Sequence, residues 1–161
     1  MRIVSGVQPT EKIHIGNYLG AIKNWIDLQD EHECIFFIAD LHAITIKYEP
    51  KELKERISQL MVAYLAAGLD PNKSIIFVQS EIAAHSELGW LFNTVTPIGE
   101  LERMTQYKDK AQKNRDNINM GLLDYPVLMA ADVLLYKGEG VPTGKDQEQH
   151  VELIRTIAKK F

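Results

Sequence analysis

Three stretches carry residue types whose spacing can do chemistry. The first is Gly6-Val7-Gln8-Pro9-Thr10-Glu11-Lys12-Ile13-His14-Ile15-Gly16-Asn17. It follows the apolar pair Ile3-Val4 and leads at once into an amphipathic run. It therefore reads as strand, Gly/Pro-rich turn and helix start, the place where an open α/β sheet binds nucleotides. Gly6 permits a tight turn, and Gly16 a close approach to the backbone. A helix opening near Gly16 offers unpaired N–H groups and a positive dipole end to a phosphate. His14 adds a ring able to donate to a phosphate oxygen, and Asn17 a second donor. The alternative for His14-Ile15-Gly16-Asn17 is an ordinary helix cap at an αβ turn.

The second is Asp132, set in Met129-Ala130-Ala131-Asp132-Val133-Leu134-Leu135. An ionised carboxylate in so apolar a run is costly unless something pairs with it. Either a nearby backbone group or a lysine satisfies it, or it receives a donor-only group of a ligand, such as an indole N–H. The third is Val141-Pro142-Thr143-Gly144-Lys145-Asp146-Gln147-Glu148-Gln149-His150. A strand leaving through Gly144 into a helix N-terminus gives another polar backbone rim. The plain alternative is a capped helix with a surface histidine. His32 and His85 lack such context and are read as surface residues. No Cys/His/Asp spacing suggests a zinc site.

The elements that position these residues follow from periodicity. Arg2 to Val4 is a first strand. Asn17 to Asp30 is a helix with Leu19, Ile22 and Ile26 on one face, Tyr18 and Trp25 flanking it as packing residues. Cys34 to Ala39 is a continuous apolar run, as expected of a parallel strand covered on both faces. It ends in Asp40-Leu41-His42-Ala43-Ile44-Thr45, polar residues at a strand's carboxyl end, where such sheets make ligand contacts. Pro50 opens a helix that Gly68 stops, with Leu53, Ile57, Leu60, Met61, Tyr64 and Leu65 as its core stripe. Ile75 to Val78 is a third strand. The first 80 residues thus read βαβαβ. Helix follows from His85 to Tyr107, broken near Pro97, with Trp90, Leu91 and Phe92 as core or interface. Residues 108–120 read as a mobile surface loop whose lysines Lys108, Lys110 and Lys113 sit in solvent. Gly121 to Lys137 is apolar almost all round, Val141 to Gly144 a short strand, and Asp146 to Lys159 a last helix. The expected fold class is α/β, a Rossmann-like doubly wound parallel sheet of about four to five strands. Its predicted order is third, second, first, then the strand at Val141.

Composition narrows the class. The chain has 161 residues, 45% hydrophobic and 25% charged, with a net charge of −4. That length predicts one domain able to bury a core. The net charge gives no global basic signal for nucleic acid, so an RNA contact has to be local. Cys34 is the single cysteine, which excludes an internal disulfide and suits a reducing, cytoplasmic setting. No signal pattern or membrane-length apolar run is present.

His14-Ile15-Gly16-Asn17 resembles the H-I-G-H signature of class I aminoacyl-tRNA synthetases. Ser5-Gly6-Val7-Gln8-Pro9-Thr10 before it and Tyr18-Leu19-Gly20-Ala21 after it narrow the resemblance to the bacterial tryptophanyl branch. Gly121-Leu122-Leu123-Asp124-Tyr125-Pro126-Val127-Leu128-Met129-Ala130-Ala131-Asp132 resembles the tryptophan-pocket helix of that branch, where the aspartate receives the indole N–H. The resemblance implies that Tyr125, Met129, Gln147, His42 and Val4 line the amino-acid pocket. It also implies that Gln8, Pro9, Thr10, Gly16, Asn17, Gly144, Lys145 and Asp146 bind ATP, with His14 and Asn17 acting on its phosphates. Thr143 and Lys145 depart from the branch's common valine and acid. Mg²⁺ is expected to ride on the ATP phosphates. L-tryptophan, tRNA(Trp) and a second copy of the chain are the expected partners, the Pro97-Ile98-Gly99-Glu100-Leu101 region being a plausible contact between copies. The branch's K-M-S-K-S segment and anticodon-reading helical domain do not occur in the sequence, so residues 1–161 are expected to be the first part of a catalytic domain, truncated and feeble on its own.

Rival readings stay open. One is a tyrosyl-tRNA synthetase of the same fold. Another is an H-x-G-H nucleotidylyltransferase, and a third a non-catalytic module that binds nucleotide or tryptophan.

Overall fold

The apolar runs at Ile3-Val4 and Cys34–Ala39 become neighbouring strands of one parallel sheet. In the computed structural model, which describes residues 1–10, 16, 18–113, 115–144 and 147–161, β1 (Arg2–Val7) pairs with β2 (Glu33–Ile38), and β2 with β3 (Ser74–Val78). The order is β1-β2-β3 and both pairings are parallel. Ile3 aligns with Cys34, and Ile35 with Ile75.

The expected fourth strand at Val141 is reduced to a single parallel bridge between Ile3 and Gly140. Val4 N–H donates to Gly140 C=O at 3.0 Å there. The bridge lies on the edge of β1 away from β2, as the predicted order requires. It goes no further because Pro142 has no N–H for the ladder. Among the described residues the sheet therefore has three strands, not four or five.

Helices cover both faces. A π-helical turn (Tyr18–Ile22) runs into α1 (Lys23–Leu28). The wider turn shifts the phase of the expected helix. Ile22 and Trp25 turn inward, fully buried, while Leu19 stays 59% exposed. After the short α2 (Asp40–Ala43), α3 (Pro50–Ala67) starts on its proline and ends at Gly68, whose φ of 112° is left-handed and favours glycine. Trp25 stacks on Phe36 at 4.5 Å and meets Tyr64 edge-on at 5.4 Å. Ile3, Cys34, Ile38, Leu60 and Leu69 close this side of the core. Leu65, expected in the stripe, is 47% exposed.

On the other face lie α4 (Ala84–Asn93), α5 (Ile98–Arg103), α6 (Thr105–Lys113), α7 (Met120–Leu134) and α8 (Glu148–Lys160). α7 packs between α4 and α8 and touches β1. Phe92, Val127, Ala130, Ala131, Leu153 and Ile157 form that core. Asn119 caps α7 by accepting from Leu122 N–H at 3.0 Å, and its amide ties the cap to Thr45 C=O at 2.9 Å. Residues 108–120, expected as a loop, are largely the end of α6 and a 3₁₀ turn (Arg115–Asn117). Lys, Gln and Ala form helix well without an apolar stripe to announce it.

Gly6 lies within β1 rather than in a turn. A Cβ there would stand 2.6 Å from the Phe37 ring of β2, so the missing side chain makes room for that ring.

Candidate functional site

The carboxyl ends of β2 and β3 are stitched together by side chains. Leu41 N–H donates to Gln79 Oε1 at 3.2 Å, and Ser80 N–H donates to Asp40 Oδ1 at 3.0 Å. This holds His42, on α2, and Gln79, just after β3, toward α7. There Asp132 meets three donors. His42 Nε2 lies 2.7 Å from its Oδ2, Gln79 Nε2 2.6 Å from its Oδ1, and His85 Nδ1 2.7 Å from the same Oδ1. All four residues are buried.

Burial alone would raise the Asp132 carboxyl. The charge and hydrogen bonds of His42 and His85 outweigh it and hold the group below the ordinary aspartate range. Asp132 is thus an ionised acceptor. A carboxylate has about four lone-pair sites. Two donors occupy Oδ1 and one occupies Oδ2, so acceptor capacity is left on Oδ2. Among the described residues, side-chain donors hold this carboxylate rather than the nearby backbone group or lysine considered from the sequence.

Asp132 also lines a cavity of about 510 Å³. β1 brings Val4 to it, the residue after the strand is Gln8, also in the lining, and α2 brings His42. α7 brings Met129 and Tyr125, one and two turns before Asp132 on one face. Gly144 and Gln147 line it as well. Pro9 and Thr10 line a separate small recess instead, beside Arg56, which donates to Thr10 C=O. Gly16 is exposed. His14, Asn17, Lys145 and Asp146 lie outside the described residues.

Tyr125 is the cavity's aromatic wall. His42 stands edge-on to it at 6.2 Å, and its hydroxyl lies 3.1 Å from Nε2 of the buried His150. Burial pushes the phenol up to about 12, which keeps it protonated. Lys110 Nζ sits 3.9 Å over the ring centroid, within cation–π range. Lys110 is half-buried, and its ammonium is pushed down by burial. It lines the cavity with the exposed Lys113, so the expectation that these lysines sit away in solvent fails for Lys110. The arrangement brings an acceptor, an aromatic wall with a cation over it, and a glycine to one cavity.

One surface assignment, His85, is overturned, and so is the alternative of a surface His150. His85 is fully buried between Asp132 and the Tyr136 hydroxyl, which lies 2.8 Å from its Nε2. His150 is buried against Tyr125. Gln79 and Tyr136 were not singled out by sequence at all. The one available signal for Gln79 was its place at a strand's carboxyl end.

Comparison with known proteins gives consistent relatives. The family described as tRNA synthetases class I (W and Y) matches residues 1–161. The chain is 56% identical to tryptophan–tRNA ligase of Rickettsia bellii, over 97% of this chain and 48% of that protein. It is 57% identical to the ligase of Prochlorococcus marinus, over 99% of this chain and 47% of that one. A crystal structure of tryptophanyl-tRNA synthetase from Campylobacter jejuni, complexed with ADP and tryptophan, superposes with a TM-score of 0.94 at 46% identity, covering 99% of this chain and 50% of that one. A tyrosyl-tRNA synthetase from Archaeoglobus fulgidus, 22% identical with a TM-score of 0.83 over 98% of this chain and 50% of that one, shares the fold. The chain spans about half the length of the curated relatives it matches.

Proposed function

The chain belongs to the tRNA synthetases class I (W and Y), and from that premise we propose that it activates L-tryptophan with ATP as the first part of a tryptophan–tRNA ligase's catalytic domain. The observation that carries the reading is Asp132: an ionised acceptor with capacity left on Oδ2, in the wall of a cavity with Tyr125 and Met129. An indole supplies one N–H donor and an aromatic body, which matches that wall. The flexible Met129 side chain adapts to the ring. Val4, His42 and Gln147 complete the amino-acid side.

The tryptophan carboxylate oxygen attacks the α-phosphorus of ATP. The bond to the β-phosphate bridging oxygen breaks, giving tryptophanyl-adenylate and pyrophosphate. Transfer to tRNA(Trp) follows. The protein's part is positioning and charge stabilisation. ATP lies along the β1 turn, where Gln8 lines the cavity and Pro9 and Thr10 shape the backbone, and against Gly144, Lys145 and Asp146. His14, Gly16 and Asn17 address the phosphates. Mg²⁺ arrives on the ATP phosphates; among the described residues no group of three His, Cys, Asp or Glu side chains could hold it. Homodimerisation through the 97–101 region and a cytoplasmic setting complete the proposal. Among the described residues no helix is long and apolar enough to cross a membrane.

The test is ATP–pyrophosphate exchange by the intact protein with tryptophan, tyrosine and phenylalanine. Exchange is expected with tryptophan far above the other two. Preference for tyrosine, or exchange independent of any amino acid, sinks the proposal.

A further inference from the structure

Behind Asp132, outside the cavity wall, stands a group that the proposed reaction does not use. His85 opens α4. Its ring is boxed by Phe37, Phe77 and Tyr136 at centroid distances of 5.8, 5.7 and 5.4 Å. Both nitrogens are engaged: Nδ1 at 2.7 Å from Asp132 Oδ1, and Nε2 at 2.8 Å from the Tyr136 hydroxyl. Facing an ionised carboxylate, Nδ1 carries the proton. Nε2 pairs with the Tyr136 hydroxyl, which can donate or accept. The phenol thereby holds the ring edge that turns Nδ1–H toward Asp132, and the aromatic box stands against the ring turning over.

The consequence falls on the opposite side of the carboxylate. Gln79 and His85 together saturate Oδ1, whereas His42 alone donates to Oδ2. Without His85, Oδ1 regains acceptor capacity on the side away from the cavity, and the carboxylate can rotate to share it. With His85, the spare lone pair is confined to Oδ2. A charge-assisted bond is sensitive to such aim, and a site must hold its groups within about 0.5 Å and 10–20° to use them.

We propose that His85, anchored by Tyr136, is a positioning residue that fixes the rotation of Asp132 so that its one free acceptor site serves an N–H in the cavity, and that this sets the preference for an indole over an isostere without the N–H. The proposal rests on the reading of Asp132 as the indole acceptor. The experiment separates the two.

The probes are L-tryptophan and L-3-(3-benzothienyl)alanine, which carries sulfur in place of the indole N–H. For the intact protein, kcat/KM in ATP–pyrophosphate exchange is measured for each, and the ratio is the readout. A merely structural role for His85 lowers both values and leaves the ratio alone. His85→Leu, which removes the donor, is expected to lower the ratio at least about tenfold, the scale of one hydrogen bond to a charged group. His85→Asn keeps an N–H near the Nδ1 position and is expected to hold the ratio within about threefold of the parent. Tyr136→Phe, at a half-buried position, is expected to lower it about threefold or more; if His85→Leu does not fold, this variant decides. Asp132→Asn is the reference. If Asp132→Asn moves the ratio while His85→Leu and Tyr136→Phe do not, the positioning role is wrong and the acceptor reading survives. If Asp132→Asn leaves the ratio unmoved, both are wrong.

Discussion

Gln79 Nε2 lies 2.6 Å from Asp132 Oδ1, joining the end of β3 to the last turn of α7 inside the protein. The same side chain takes Leu41 N–H on its Oε1. One fully buried amide therefore satisfies a strand end and a carboxylate at once. Gln79→Ala strands Leu41 N–H and removes a donor from a buried charge. A loss of about 2–4 kcal/mol is expected, since a bond to a charged group and an orphaned buried donor each cost about 1–3 kcal/mol. Urea unfolding monitored by Trp25 and Trp90 fluorescence measures it. A change below about 0.5 kcal/mol would show that water replaces the amide freely.

Acid should act through Asp132. Its folded carboxyl is held below the ordinary value of 3.8 by His42 and His85 against the opposing effect of burial. A carboxylate depressed in the folded state adds stability that is fully present above its unfolded value and is lost as pH falls through its folded one. The expected window is therefore below about pH 4, with no contribution to pH dependence near neutrality. Asp132→Asn should be less stable than the parent at neutral pH yet lose less on acidification from about pH 5 to about pH 3. Parallel acid-unfolding curves for the two proteins would refute this.

Gly6 tests the sheet. With a Cβ 2.6 Å from the Phe37 ring, Gly6→Ala forces that buried ring to shift at the cavity wall. Overpacking of this kind costs about 1–3 kcal/mol. Phe37→Leu in the same chain should recover part of the loss, because it removes the clashing ring atoms. If the double variant is less stable than the sum of the single changes, the contact is not the cause.

The halves of this architecture differ in how openly the sequence shows them. The β2 and β3 strands and α3 were legible because unbroken apolar runs, Pro50 and Gly68 each have one cheap conformation, whereas β1 was legible only over Arg2 to Val4, since Ser5 and Gly6 interrupt its apolar run. Asp132, Tyr125 and Met129 were legible as neighbours because they lie on one helix face. The partners of Asp132 were not: Gln79, His85 and His42 are 53, 47 and 90 residues away in sequence. A lone histidine at a helix start looks the same in solvent or in an aromatic box until the sheet supplies Phe37 and Phe77. The Val141 strand failed for a local reason, the missing N–H of Pro142. α6 failed as a loop because a polar helix has no periodic stripe to read.

The last prediction concerns amino-acid choice. Tryptophan differs from phenylalanine by bulk and by one N–H donor. A site with a buried acceptor penalises the ligand that leaves it unpaired, and discrimination of that kind reaches roughly 10⁴–10⁵. From the sequence alone, asparagine at position 132 looked like the milder change, since its carbonyl still accepts. The three donors around Asp132 alter that balance. His42 donates to one oxygen, and His85 and Gln79 to the other. An asparagine amide nitrogen must face one of these donors, N–H against N–H, whichever way it is turned. Its remaining carbonyl is then claimed by the donors on its own side. Asp132→Asn should still lose less tryptophan activation than Asp132→Ala, which leaves all three donors unmatched, but the gap should be narrow. Turning the carbonyl toward the cavity leaves Gln79 and His85 against the amide nitrogen, so stability suffers most when specificity is kept. Exchange efficiency for tryptophan and phenylalanine, with unfolding free energies of the same proteins, measures both. Should Asp132→Ala retain full tryptophan preference, Asp132 is a structural anchor for the two histidines and the amino acid is chosen by shape alone.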